Sequence, residues 1–166
     1  MKTIRIQDHE PHEPLSFDLR DILNDCEEYS LRTWIAWRVD WATAEAYGPE
    51  VLDYFLSVCN GAYWEPPNDQ VVFSFSQLQG CARCVVQTEN GFFMAIRPDV
   101  EAATIPKLRT LADCEQVSDL IIHAFDFSFW EVTTEDNGLI QRLTSKYTQT
   151  KIFDDMMDGG TGIPGR

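Results

Sequence analysis

The segment from Ile121 to Thr134, IIHAFDFSFWEVTT, constrains the fold of this chain more than any other stretch. Phe125, Phe127 and Phe129 fall on one face of an extended chain, and Trp130 falls on the other. Such period-2 alternation of aromatic and β-branched residues predicts a β-strand with one buried face. A row of Phe rings is too much apolar surface to leave in water, so we expect other elements to pack over it.

The remaining hydrophobic pattern predicts an α+β fold. Alternation predicts further strands at residues 3–7, 31–42, 71–75, 84–88 and 92–96, and helical spacing predicts helices at 18–29, 48–60, 110–120 and 139–147. We expect a hairpin turn at Asn90-Gly91 and a turn or bulge over residues 77–80. Together these elements predict a single α+β domain over 1–147, with helices packed on a largely antiparallel sheet of about five or six strands. The Gly-rich, acidic residues 148–166 predict a flexible tail.

The chain is strongly acidic, with 13 Lys and Arg residues against 27 Asp and Glu residues and a net charge of −14. Such a surface repels phosphate backbones and anionic lipids, so neither nucleic acid nor a membrane is expected as a partner. A basic protein would be attracted, although acidity also fits a simple role in solubility. Because no apolar run is long enough for a membrane span or a secretory signal, we expect a cytoplasmic protein with reduced cysteines.

Residues suited to catalysis or metal binding are few. Cys81 and Cys84 have CxxC spacing, but a structural zinc site needs a second ligand pair, and a redox motif belongs at a strand-to-helix junction. His123 lies in an apolar strand, where a hydrogen-bonded core or edge histidine is the commoner arrangement. The common phosphate-binding, hydrolase and metal-binding motifs are not found. We therefore expect no catalytic residues, no metal and no cofactor.

Aromatic and acidic residues together mark the candidate contact surface. Tyr63 and Trp64 stand just before Pro66-Pro67, which stiffens an acidic loop. Large aromatic side chains on a rigid loop are common anchors of protein interfaces. The alternative, that Trp64 packs back onto the core, carries equal weight. The predicted contact residues are Tyr63, Trp64, Glu65, Asp69, Glu135 and Asp136.

In size, in charge and in its lack of catalytic motifs, the whole chain resembles the immunity proteins of bacterial contact-dependent inhibition and related polymorphic toxin systems. The resemblance implies tight one-to-one binding of a toxin domain, often a basic nuclease, whose active site or substrate-binding face is covered. Opposite charge would speed the encounter, and buried aromatic residues would slow release. The alternative function is a small-ligand-binding protein or an enzyme with a pocket lined by Trp34, Trp37 and Trp41.

Overall fold

A single antiparallel sheet organises the chain in the computed structural model, which describes residues 1–7, 15–43, 70–108 and 110–153. The strands are β1 (Lys2–Gln7), β2 (Thr33–Thr43), β3 (Gln70–Ser74), β4 (Val85–Ile96), β5 (Ser118–Phe125), β6 (Phe129–Thr134) and β7 (Gln149–Phe153). They follow the order β3-β2-β4-β5-β6-β1-β7 in one seven-stranded sheet. The helices in these ranges are α1 (Leu19–Leu23), α2 (Phe75–Cys84), α3 (Leu111–Val117) and α4 (Asn137–Lys146), with 3₁₀ helices at Glu27–Tyr29 and Ala102–Lys107.

The predicted α+β class and the antiparallel sheet are confirmed. The sheet has seven strands, because β7 pairs with β1 along Thr3 to Gln7. Residues 149–153 are therefore a strand, and the prediction that a flexible tail begins at residue 148 is wrong at its start. The sequence pattern missed this strand because only Ile152 and Phe153 in it are apolar, and Ile152 is 48% exposed.

Each face of the sheet packs against helices. The larger core lies against α1, α2 and α4, and it includes Trp34, Phe93 and Trp130, each almost fully buried. The smaller core joins Met94 and Ile121 to the 3₁₀ helix at Ala102–Lys107 and to α3. In the described ranges, no helix is both long and apolar enough to cross a membrane.

The stretch predicted as one long strand from Ile121 to Thr134 is a hairpin of β5 and β6. Asp126 and Phe127 take positive φ angles of 43° and 55°, and the backbone N–H of Ser128 donates to Phe125 O at 2.9 Å. The turn breaks the expected row of three Phe side chains. Phe125 is 42% exposed, so the prediction that this face is heavily buried is wrong.

Gly91 allows two strands to approach each other closely, and it does not form the predicted hairpin turn. β4 runs without interruption through Asn90-Gly91, and its partner β2 has a register shift between Trp37 and Asp40. There Val39 comes so near that a Cβ atom at residue 91 would lie 2.6 Å from its Cγ2 atom. Gly91 also has a φ of +147°, which L-residues rarely adopt. The Asn-Gly pair was therefore a misleading turn signal.

The helix α2 occupies residues 77–80, which the sequence predicted to form a turn or bulge. Its start is fixed by a capping box, in which Ser74 Oγ accepts from the Gln77 N–H at 3.3 Å and Gln77 Oε1 accepts from the Ser74 N–H at 2.8 Å. The signature Ser-x-x-Gln is readable in the sequence and favours a helix start. Cys81 and Cys84 consequently lie near the C-terminal end of a helix.

Asp136 fixes the start of α4, where its Oδ1 atom accepts from the N–H groups of Gly138 at 2.8 Å and Leu139 at 3.1 Å. We expect Asp136→Ala to lower the free energy of unfolding by about 1 kcal/mol, because two helix N–H groups lose their acceptor. Asp136→Asn should keep most of the stability, since an amide oxygen also caps. Urea denaturation of the three proteins measures the effect, and equal midpoints for Asp136→Ala and wild type would contradict this assignment.

Candidate functional site

A line of directly paired side chains crosses the sheet on the face of the smaller core. Directly opposed residues of antiparallel strands point to the same face, so each pair extends the line by one strand. From β7 to β2 its members are Lys151, Arg5, Glu131, His123, Phe92 and Trp37.

On this face five ring side chains, which we call the aromatic row, contact one another in succession: Trp37, Phe92, His123, Phe125 and Phe129. Ring centroids of Trp37 and Phe92 are 6.1 Å apart, and those of Phe92 and His123 are 4.1 Å apart and stacked. His123 meets Phe125 edge-on at 5.7 Å, and Phe125 stacks on Phe129 at 4.8 Å. The row runs from a buried Trp37 to the turn between β5 and β6 at residues 125–129, which we call the hairpin tip. There Phe125 is 42% exposed.

An ion pair supports the exposed end of the aromatic row. Arg5 donates to Glu131 Oε1 from Nη2 at 2.7 Å and from Nε at 3.0 Å. The guanidinium carbon of Arg5 also lies 4.1 Å from the ring centroid of Phe129, within cation–π range. Arg5 is thus held by a carboxylate and an aromatic face at once, and it fixes the position of Phe129.

Glu131 also contacts the aromatic row itself, since its Oε2 atom lies 3.9 Å from His123 Nδ1. The His123 ring and the Arg5 guanidinium hold the pKa of Glu131 below its ordinary value, while burial acts in the opposite direction. At 3.9 Å the histidine contact is longer than a hydrogen bond, so Arg5 is the closer partner. Glu131 is therefore an ionised carboxylate that connects Arg5 to His123.

The lowered pKa of Glu131 makes stability depend on pH. Because the folded-state pKa lies below the ordinary 4.5, ionised Glu131 stabilises the fold above that pH, and the stabilisation is lost as pH falls through the folded-state value. We expect Glu131→Gln to lower the free energy of unfolding by about 1 kcal/mol near neutral pH. The difference from wild type should shrink under acid conditions.

Urea denaturation over a pH series measures this effect. Glu135→Gln is the matched control, since the Glu135 side chain is 83% exposed, and it should leave the pH profile unchanged. An equal pH dependence of wild type and Glu131→Gln would show that Glu131 is not the stabilising group.

Two hydrogen bonds hold the hairpin tip against β4. The Asp126 N–H donates to Asn90 Oδ1 at 3.0 Å, and the Phe127 N–H donates to Glu89 O at 3.4 Å. The tip therefore does not stand free of the sheet, although Phe125 and Asp126 are both exposed. An aromatic ring and a carboxylate are presented side by side from a fixed backbone.

The residues predicted for partner contact do not belong to the aromatic row. Glu135 follows β6 at the end opposite Phe129, and its Oε1 atom lies 4.0 Å from the amino group of Met1. Asp136 is next to it and is engaged in capping α4. The other four predicted contact residues, Tyr63, Trp64, Glu65 and Asp69, lie outside the described residues.

The Trp-lined pocket of the alternative function does not form as predicted. Trp34 is fully buried in the larger core, where its indole N–H donates to Tyr29 O at 3.2 Å. Trp37 lies on the opposite face of the sheet, with the Arg38 guanidinium carbon 5.0 Å from its ring centroid. Two side chains on opposite faces cannot line one pocket. The side chain of Trp41 is outside the described part of the chain.

The cysteines of the CxxC spacing are placed unfavourably for thiolate chemistry. Cys81 is buried, and Cys84 Sγ donates to Gly80 O at 3.2 Å. Burial raises the pKa of the Cys84 thiol. Burial, and to a smaller extent the nearby carboxylates of Asp113 and Glu115, raises the pKa of the Cys114 thiol to about 11. A helix C-terminus adds negative potential, which further disfavours a thiolate. Within the described ranges, no three metal-binding side chains are grouped together.

The site therefore consists of a row of aromatic rings across the sheet, buried at Trp37 and 42% exposed at Phe125, with a paired arginine and glutamate at one end. Its titratable groups are engaged with one another, and its most exposed member is an apolar ring. Such a surface suits contact with another macromolecule better than proton transfer. The chain matches no family model, and comparisons with curated proteins and with solved structures give no match either.

Proposed function

We propose that this chain is a non-catalytic protein-binding module that acts in the cytoplasm and inhibits a basic protein by direct contact, in the manner of an immunity protein. The observation that carries the proposal is the aromatic row, which reaches the surface at Phe125 with 42% exposure. Aromatic side chains dominate the energetics of protein interfaces, because they bury a large area at a small loss of rotamer freedom.

The rigidity of the surface supports tight binding. Phe125 and Phe129 stack on each other, Phe129 is covered by the Arg5 guanidinium, and the tip is hydrogen-bonded to β4. A partner therefore meets side chains that are already ordered, and little conformational entropy is lost on association. Preorganisation of this kind lowers the dissociation rate of a complex.

The charge of the chain supports a basic partner. Net charge is −14, and most Lys and Arg side chains of the described ranges are already paired with carboxylates. These pairs are Arg5–Glu131, Arg20–Asp21, Arg32–Asp119, Arg97–Asp99, Arg142–Glu28 and Lys146–Asp25. Acidic side chains remain in excess over these pairs, and their long-range electric field accelerates association with a basic protein. The aromatic row provides the short-range contacts.

Affinity capture with a matched variant tests this function. Tagged wild type and tagged Phe125→Ala are incubated with lysate of the native host at low salt, and the retained proteins are identified by mass spectrometry. We expect wild type to retain one basic protein that Phe125→Ala loses. When that protein is purified, adding an equimolar amount of this chain should abolish its activity.

Two outcomes would contradict the proposal. If the two baits retain the same proteins, the aromatic row is not the binding surface. If the captured protein is acidic, or keeps its full activity in the complex, the chain is not an inhibitor of a basic partner.

A further inference from the structure

Strand β7 forms one edge of the sheet, since the strand order ends in β6-β1-β7 and β7 pairs with β1 alone in the described ranges. Its residues are exposed or half-buried along the whole strand. An edge strand presents a row of backbone N–H and C=O groups that lack a partner strand, which makes it a template for another extended segment. The side chains of β7 then decide which segment fits this edge.

On the face of the smaller core, β7 presents a cation without a carboxylate. Lys151 is directly opposite Arg5 of β1, and like charges at directly opposed positions of a sheet destabilise the pairing. Arg5 is neutralised from its other side by Glu131, whose Oε1 atom lies 2.7 Å from Arg5 Nη2. Lys151 is exposed, with its Nζ atom 4.9 Å from the ring centroid of Phe153, and no carboxylate of the described ranges pairs with it. A carboxylate on the outer side of Lys151 would compensate this cation as Glu131 compensates Arg5.

On the opposite face, β7 is the outer end of an apolar line. Ile152 is directly opposite Ile4, and the line continues through Val132, Ile122 and Phe93 on β6, β5 and β4. The four inner side chains are fully buried, whereas Ile152 is 48% exposed. An apolar side chain placed beyond Ile152 would cover it and extend the larger core by one strand.

Lys151 also acts against pairing with a second copy of this chain. If two β7 strands pair antiparallel along their full length, Lys151 of one copy lies directly opposite Lys151 of the other. Each copy carries a net charge of −14, so two copies also repel each other at long range. Edge lysines are a common device against such self-pairing. They do not act against a strand that brings a carboxylate to this position.

We propose that β7 binds an extended segment of another protein by strand addition, and that this segment carries Asp or Glu between two apolar residues. The backbone groups of β7 pair with the segment, its carboxylate lies opposite Lys151, and an apolar neighbour covers Ile152. The aromatic row takes no part in this contact. The inference does not rest on the proposed inhibition of a basic protein, and either one can fail without the other.

NMR titration of the full-length ¹⁵N-labelled chain at low ionic strength tests the proposal with synthetic peptides. The Glu peptide is acetyl-Thr-Val-Glu-Val-Thr-amide, and the Lys peptide has Lys in place of Glu. We expect the Glu peptide to shift the amides of β7 saturably, with a dissociation constant of about 1 mM, and the Lys peptide to bind about tenfold more weakly. The net charge of −14 by itself predicts the opposite order, so this preference requires a cation at the binding site.

A Pro peptide, which keeps Glu but has Pro in place of both Val residues, tests the strand pairing. Proline has no N–H group and is excluded from the interior of a sheet. The Pro peptide should therefore give no saturable shifts, although it retains the carboxylate.

Lys151→Glu locates the contact. This variant replaces the like-charge pair with Arg5 by an attractive pair, so it should fold, and it should bind the Lys peptide more tightly than the Glu peptide. Arg83→Glu is the matched control. It changes the net charge by the same amount at an exposed position on α2, and it should keep the wild-type order of affinities. The ¹⁵N spectrum of each variant reports whether it is folded.

Three results would overturn the proposal. The first is that the Glu peptide gives no saturable shifts in β7, or gives shifts centred on β3 at the other edge of the sheet. The second is that the Lys peptide or the Pro peptide binds as tightly as the Glu peptide. The third is an unchanged order of affinities in folded Lys151→Glu.

Discussion

Replacing Gly91 with alanine is expected to lower the free energy of unfolding by about 3 kcal/mol. A Cβ atom at this position would lie 2.6 Å from Val39 Cγ2 and 2.9 Å from Val39 Cα. The second of these atoms belongs to the backbone, so rotation of a side chain cannot relieve the clash. The φ of +147° adds strain, because alanine rarely adopts that conformation. Urea denaturation measures the loss.

Gly138→Ala is the matched control for this substitution. Its added Cβ would meet Arg142 Nη1 at 3.5 Å, an ordinary contact, and Asp136 Oδ1 at 3.0 Å, so the capping carboxylate has to shift by a few tenths of an ångström. The helix preference of alanine in the first turn of α4 offsets this shift, so the free energy of unfolding should change by no more than about 1 kcal/mol. If Gly91→Ala also leaves the free energy of unfolding unchanged, β2 and β4 do not approach each other as closely as described at Gly91 and Val39. Val39→Ala in the Gly91→Ala background should recover only part of the stability, since the clash with the backbone of residue 39 persists.

Phe125→Ala is expected to weaken binding of the captured partner about 30-fold, which corresponds to a loss of about 2 kcal/mol at an interface anchor. The change in unfolding free energy should be smaller, since Phe125 is 42% exposed at the hairpin tip. Calorimetric titration with the purified partner gives the affinity, and urea denaturation gives the stability.

Val72→Ala controls for the loss of an exposed apolar side chain elsewhere on the sheet. Val72 lies on β3 and is 52% exposed, so it resembles Phe125 in exposure but is remote from the hairpin tip. Its replacement should leave affinity unchanged. Equal loss of affinity in both variants would mean that Phe125 is not an anchor, and an unchanged affinity for Phe125→Ala would contradict the assignment of the aromatic row.

Local signals in the sequence were sufficient for much of the fold. Strand β2 and helix α4 follow from alternation and helical spacing. Asp18 caps α1, with its Oδ1 accepting from the Leu19 N–H at 2.7 Å. The predicted helix over 18–29 is shorter, since α1 ends at Leu23 and a 3₁₀ helix follows. At Gly91 the prediction was wrong because a distant part of the chain decided the local structure. Gly91 looks like a turn residue until Val39 is placed against it.

The candidate site could not be predicted from the sequence, because contacts between distant parts of the chain form it as well. Arg5 and Glu131 are 126 residues apart in the chain, and only the register of β1 with β6 makes them neighbours. The stack of Phe92 on His123 likewise depends on the pairing of β4 with β5. Strand alternation assigns a side chain to one of two faces, but it does not say which strand lies beside it. Phe125 and Phe129 were recognised as important, yet as core residues and not as surface.

Mapping by NMR shows directly whether the aromatic row is the surface that binds the partner. Cross-saturation from the unlabelled partner to the ²H,¹⁵N-labelled chain identifies the amides at the contact. We expect transfer to be strongest at Phe125, Asp126 and Phe129, and β3 to be unaffected. Transfer to other parts of the chain, with none at the hairpin tip, would contradict the assignment of the aromatic row as the binding surface.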